Sequence, residues 1–157
     1  MHPQSHRIPL SSADETAALA AHLARGLHPG DTILLSGGVG AGKTHFARAL
    51  ISEILTTPEH VPSPTFTLVQ TYDTDNGPLW HADLYRVGST HEIEELGLAE
   101  AFETAICVIE WPDRLGDLRP AAALDITLDP GAHEDSREMT LSFVDPAWEE
   151  RLKGWLS

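Results

Sequence analysis

The segment that most constrains this chain is Gly37-Gly38-Val39-Gly40-Ala41-Gly42-Lys43-Thr44. It matches G-x-x-x-x-G-K-[ST], a glycine-rich turn that cradles phosphates. The flanks agree with that reading. The apolar run Ile33-Leu34-Leu35 enters the turn as a strand, and Phe46, Ala47, Leu50, Ile51 and Ile54 leave it at helical spacing. The glycines let successive backbone N–H groups turn inward as an anion nest, and the following helix aims its positive end at the same point. Lys43 is the point charge for the β- and γ-phosphates, and the Thr44 hydroxyl suits Mg²⁺. The alternative, an ordinary βα turn, explains the glycines but not Lys-Thr at this spacing. The expectation is a nucleoside triphosphate site on an α/β fold.

Composition narrows what surrounds the site. With 157 residues, 41% of them hydrophobic, the expectation is one globular domain spanning 1–157. No apolar run reaches membrane-spanning length, and the first residues lack a signal-peptide core. The lone Cys107 fits a reducing, cytoplasmic setting and reads as a small core residue. The net charge of −14 argues against a direct grip on nucleic acid, which needs a basic footprint. An acidic surface serves either solubility or the encounter with a basic protein partner.

Along the chain, Ser12 and Glu15 form a capping box for a helix over 13–26. After the phosphate-loop helix comes Pro62-Ser63-Pro64-Thr65, a stiff loop carrying hydroxyls. Strands are predicted at 66–72 and 79–84, joined by Asp75-Asn76-Gly77-Pro78 as a hairpin, so the sheet is expected to be mixed. Ser89 to Glu92 caps a helix ending near Gly97, and a short helix over 98–102 follows. Residues 105–111 read as a strand buried on both faces, and 112–116 as a loop. Strands over 123–128 and 138–144 precede a terminal helix over 147–156, with Asp145 as its N-cap and Pro146 at its first position. Trp148, Leu152, Trp155 and Leu156 mark that helix's apolar stripe.

A triphosphate site also needs a carboxylate near Mg²⁺. Glu110, the first acid after the buried run, is the candidate; the alternative is a solvated strand end. Asp83 is the second. Period-two alternation puts it on one strand face with His81, with Tyr85 and Arg86 just beyond. Asp83 would orient a water or hold a magnesium-bound one, or else form a hairpin-end ion pair with Arg86. Ser63, Pro64 and Thr65 make either a γ-phosphate sensor or a plain connector. Trp111 would stack on a partner or cover the site, with a packed core position as the default. The histidines have no zinc-helix spacing, and one cysteine gives no thiolate cluster.

These motifs together resemble the TsaE (YjeE) family, ATPases of bacterial tRNA threonylcarbamoyladenosine synthesis. The resemblance rests on residues 37–44, on Ser63-Pro64-Thr65-Phe66-Thr67-Leu68-Val69, on His81-Ala82-Asp83-Leu84-Tyr85-Arg86, on Glu94-Glu95-Leu96-Gly97 and on Ile109-Glu110-Trp111-Pro112. It implies a P-loop NTPase-like three-layer sandwich with a mixed central sheet. It implies ATP as cofactor, Mg²⁺ on Thr44 and Glu110, and a part for Asp83 in hydrolysis. It places Thr16 and Arg137 near the nucleotide. It also implies that hydrolysis resets the TsaB–TsaD pair between turnovers, with tRNA met only through those partners. Two positions depart from the family pattern. Gly38 stands where an acid is usual, and His45 where a second hydroxyl often reaches the α-phosphate.

Other functional classes remain to be weighed. A small-molecule or nucleoside kinase would use the same loop, but it normally needs an arginine-bearing lid, and this chain has 10 Lys and Arg in all. Asp113-Arg114-Leu115-Gly116 reads D-x-x-G as in a GTPase, yet the one asparagine, Asn76, lies in a turn, so no guanine-reading Asn-Lys-x-Asp exists. A module that holds nucleotide without turnover is the third class, suggested by Gly38 and His45.

Overall fold

The structure, a computed structural model, describes residues 4–38, 42–62 and 68–153. Val39, Gly40 and Ala41 of the phosphate loop lie outside the described residues, as do Ser63, Pro64, Thr65, Phe66 and Thr67 and the predicted helix end with Trp155 and Leu156.

Seven strands form one mixed sheet. They are β1 (Gln4–Leu10), β2 (Thr32–Ser36), β3 (Val69–Thr74), β4 (Gly77–Asp83), β5 (Ile106–Glu110), β6 (Leu124–Pro130) and β7 (Arg137–Phe143). Their spatial order is β1-β7-β6-β2-β5-β4-β3. The inner strands β6, β2, β5 and β4 run parallel, and β7 and β3 run antiparallel to their inner neighbours. Every residue of β5 is buried, as its unbroken apolar run requires of a strand covered on both faces.

Helices cover both sides. Two of them, α1 (Ala13–Arg25) and α2 (Lys43–Ile54), pack on one face through Leu19, Leu23, Phe46, Leu50 and Ile51, joined by Trp148 of α5 (Ala147–Arg151). The other face carries α3 (Thr90–Glu95) and α4 (Leu98–Thr104), with Ile93, Leu98 and Ala101 against Ala82, Cys107 and Ile109. This is the expected three-layer sandwich. Both serine caps form: Ser12 Oγ accepts from the Glu15 N–H at 3.1 Å, and Ser89 Oγ from the Glu92 N–H at 3.4 Å. Gly97, left-handed at φ 84°, lets α3 turn directly into α4.

Some expectations are corrected. Strand β1 was not anticipated; it exists through antiparallel pairing with β7, from Gln4↔Phe143 to Leu10↔Arg137. Strand β3 is described from Val69, after Leu68, whose left-handed φ of 65° takes it out of the pleat; the predicted start at residue 66 lies outside the described residues. Residues Pro112–Leu118 form 3₁₀ turns instead of a plain loop. The last helix is described as five residues, Ala147–Arg151, with Pro146 rather than Asp145 at its N-cap, although the Asp145 carboxylate still accepts from the Ala147 N–H at 2.9 Å.

Candidate functional site

Parallel strands bring their carboxyl ends to one edge of the sheet, where α/β proteins hold ligands. Here β2 stops at Ser36, β5 at Glu110 and β4 at Asp83, and the register places Leu35 beside Glu110 and Glu110 beside Asp83. Gly42, left-handed at φ 97°, ends the phosphate loop and caps α2. A side chain there would be strained by that φ and would also lie 3.4 Å from Arg137 Nε.

Lys43, the first residue of α2, is only 6% exposed. Its Nζ donates to the Gly37 carbonyl and, at 3.4 Å, to that of Gly38. The Trp111 ring covers it, with its centroid 4.0 Å from Nζ. Burial lowers the Lys43 pKa, and the negative charges of Glu110, Asp83 and Asp113 oppose that shift. Trp111 is half-buried and packs against the core on the α3–α4 side, as the default expected, while its ring also covers Lys43. Its left-handed backbone, φ 60°, swings the ring out of the strand and over the lysine. Tyr85 meets the same ring at 4.7 Å between ring centroids, tilted by 49°, yet remains 48% exposed. Arg86 is exposed beside Tyr85.

Beneath the lysine lies a short polar chain. Thr44 Oγ1 is 3.5 Å from Glu110 Oε1, and Glu110 Oε2 accepts from His81 Nε2 at 2.7 Å. Glu110 is 2% exposed and His81 1%, so the solvated-strand-end reading of Glu110 is corrected. Asp83, 7% exposed, lies on the same face. Its Oδ1 accepts from the Tyr85 N–H at 2.9 Å, and its own N–H donates to the Leu68 carbonyl at 2.9 Å. Asp83 therefore ties the Tyr85 turn to Leu68, the residue that precedes β3.

A second cleft opens beyond the loop. Ala13, Thr16, Gly42, His45, Asp135 and Arg137 line it. Thr16 and Arg137, distant in sequence, thus share one depression next to the phosphate loop. His45 does not project freely; its Nε2 lies 3.1 Å from the Ala13 carbonyl and ties α2 to the start of α1. Arg137 donates to the Glu134 and Ser136 carbonyls at 2.8 and 2.7 Å.

The fit to a divalent cation can be judged from these donors. Among the described residues there is no group of three or more His, Cys, Asp or Glu able to hold a metal alone. Mg²⁺ at phosphate sites needs less, one or two protein oxygens completed by phosphates and water. The Thr44 hydroxyl and Glu110 Oε1 form such a hard-oxygen pair. Sequence reasoning grouped His81 with Asp83 but gave it no role. The available signal was its face, since a histidine between Leu79 and Asp83 on one core-facing row needs a polar partner on that same face of the sheet.

The mixed α/β sheet, the glycine-rich turn and the buried lysine–carboxylate edge define a P-loop nucleotide-binding protein. The family model for "Threonylcarbamoyl adenosine biosynthesis protein TsaE" matches residues 10–139, and the chain belongs to the TsaE family. The chain is 41% identical over 120 residues to the tRNA threonylcarbamoyladenosine biosynthesis protein TsaE of Rickettsia felis, covering 76% of this chain and 70% of that one. It is 37% identical to the protein of the same name from Bacillus subtilis, covering 87% and 84%. A crystal structure of Bacillus subtilis YdiB superposes with a TM-score of 0.76 at 27% identity, over 96% of this chain and 93% of that one.

Proposed function

We propose that this chain binds ATP with Mg²⁺ at the phosphate loop and hydrolyses it in support of N6-threonylcarbamoyladenosine formation in tRNA, resetting a TsaB–TsaD complex between turnovers. The observation that carries the reading is the meeting of Thr44, Glu110, Lys43 and Asp83 at one edge of the sheet. Membership of the TsaE family supplies the pathway.

In this reading the phosphate-loop N–H groups and Lys43 hold the β- and γ-phosphates. Thr44 and Glu110 hold the cation, which when bound neutralises charge developing on the phosphates. Lys43 must leave the Gly37 and Gly38 carbonyls to reach a phosphate, and its cover, Trp111, is also in contact with exposed Tyr85. A partner that engages Tyr85, Arg86 and Trp111 would thereby gain access to the lysine. Asp83 orients the attacking water, and the Thr16–Arg137 cleft takes the nucleoside end. Ser63, Pro64 and Thr65 sense the γ-phosphate. The excess of 24 acidic over 10 basic residues keeps tRNA contact indirect. No helix among the described residues is long and apolar enough to cross a membrane.

The test is reconstitution of tRNA modification with TsaB and TsaD from the same cell, with and without this chain, while following phosphate release. Multiple-turnover modification that needs both the chain and ATP is expected. Stoichiometric phosphorylation of a small acceptor, or preference for GTP in competition, would overturn the proposal.

A further inference from the structure

The two oxygens of Glu110 have different partners. Oε1 faces the Thr44 hydroxyl at 3.5 Å, and Oε2 accepts from His81 at 2.7 Å. The terminal torsion of a glutamate is broad and about two-fold. A carboxylate held by one oxygen only at hydrogen-bonding distance is pinned at that oxygen, and the other is left pointing in one direction.

His81 is an expensive choice for a structural role. Its row on β4 faces the layer filled by Ile33, Leu35, Leu79 and Val108, and in register it sits beside Val108. A valine or leucine would pack there. The imidazole instead spends Nε2 on Glu110, while Nδ1 is fully buried and has no hydrogen-bond partner among the described residues. An unpaired buried nitrogen is a cost that packing alone does not repay. What the ring obtains in return is the orientation of one carboxylate.

We propose that His81 is a positioning residue that holds Glu110 Oε2, so that Oε1 is the single oxygen offered beside Thr44. It thereby sets the divalent-cation affinity of the nucleotide complex without touching nucleotide or cation. This rests on the reading of the phosphate loop as an ATP–Mg²⁺ site. Partners of this kind, hydrogen-bonded to a metal ligand, typically change metal affinity 10- to 100-fold when removed.

The test compares His81→Gln with His81→Asn. The glutamine amide reaches the place of Nε2 and keeps the donor to Glu110; the shorter asparagine amide falls near Nδ1 and loses it. A fluorescent ATP analogue is titrated in EDTA, and Mn²⁺ binding to the resulting complex is then read by electron paramagnetic resonance. Nucleotide affinity in EDTA should match wild type in both variants. Mn²⁺ affinity should fall on the order of 10-fold in His81→Asn and stay near wild type in His81→Gln. In a Glu110→Gln background, His81→Asn should cost nothing further. Unchanged Mn²⁺ binding in His81→Asn, equal losses in both variants, or an undiminished effect without the Glu110 carboxylate would each overturn the proposal. If His81→Asn does not fold, His81→Gln against Glu110→Gln decides: the first must bind Mn²⁺ normally and the second weakly, and any other pattern overturns it. A wild-type chain that binds no nucleotide would refute the phosphate-loop reading itself, whereas normal nucleotide binding with an indifferent His81 refutes only this inference.

Discussion

Lys43 carries the charge that a triphosphate needs, and the structure holds it under an aromatic ring against two carbonyls of its own loop. Charge-assisted bonds to phosphate contribute about 1.5–3 kcal/mol each. Lys43→Ala is therefore expected to weaken nucleotide binding by about 100-fold or more, measured with a fluorescent analogue, while thermal unfolding stays close to wild type. In the proposed site Asp83 stands apart from the residues that hold phosphate. Its carboxylate organises the Tyr85 turn, and its N–H holds the Leu68 carbonyl. Asp83→Ala should bind ATP within about 2-fold of wild type and lose on the order of 10²–10⁴-fold in partner-stimulated turnover. Undiminished phosphate release in that variant would remove Asp83 from the chemistry.

Much of the architecture at the level of elements was legible before the structure, for local physical reasons. Both serine caps, the αL glycine after α3, the phosphate turn and the doubly buried β5 are written in a few adjacent residues each. Asp83 was singled out by period-two alternation with His81, and Glu110 as the first acid after the buried run 105–109; the register sets the two side by side. What escaped depends on distant partners. Strand β1 has a mostly exposed, polar sequence and owes its existence to β7. The His81–Glu110 bond depends on β4 lying beside β5, a matter of strand order rather than pattern. Trp111 covers Lys43 only because its backbone turns left-handed after β5. The Ser12 cap offers a test at this scale, since it secures the helix that places Thr16 in the cleft and the Ala13 carbonyl against His45. Ser12→Ala should lower unfolding free energy by about 1 kcal/mol in a urea titration. It should weaken nucleotide binding less than Lys43→Ala does, because in the proposed site α1 meets only the nucleoside end.

Across the whole molecule, closure depends on residues far apart in the chain. Arg151, on the last described helix, donates to both Asp31 carboxylate oxygens and to the Gly26 carbonyl, joining α5 to the lead-in of β2 and the end of α1. Between the two helical layers sits Cys107, on the inner strand β5, with no exposed surface. Burial pushes its thiol up to about 12, from a usual value of 9.0. Thiolate is the reactive form, so both its access and its ionisation require the sheet to open. Labelling of Cys107 by a disulfide reagent at pH 8 should therefore be at least about 100-fold slower in the native chain than in urea. The same shift predicts a pH effect on stability. The unfolded chain gives up this proton near pH 9, while the folded chain keeps it until about 12, so the native state binds more protons across that window. The thiol's contribution is thus complete below pH 9 and is lost as pH climbs from 9 towards 12. Cys107→Ala should flatten that alkaline decline in denaturant midpoint. A decline of equal steepness in the variant would place the alkaline sensitivity elsewhere in the fold.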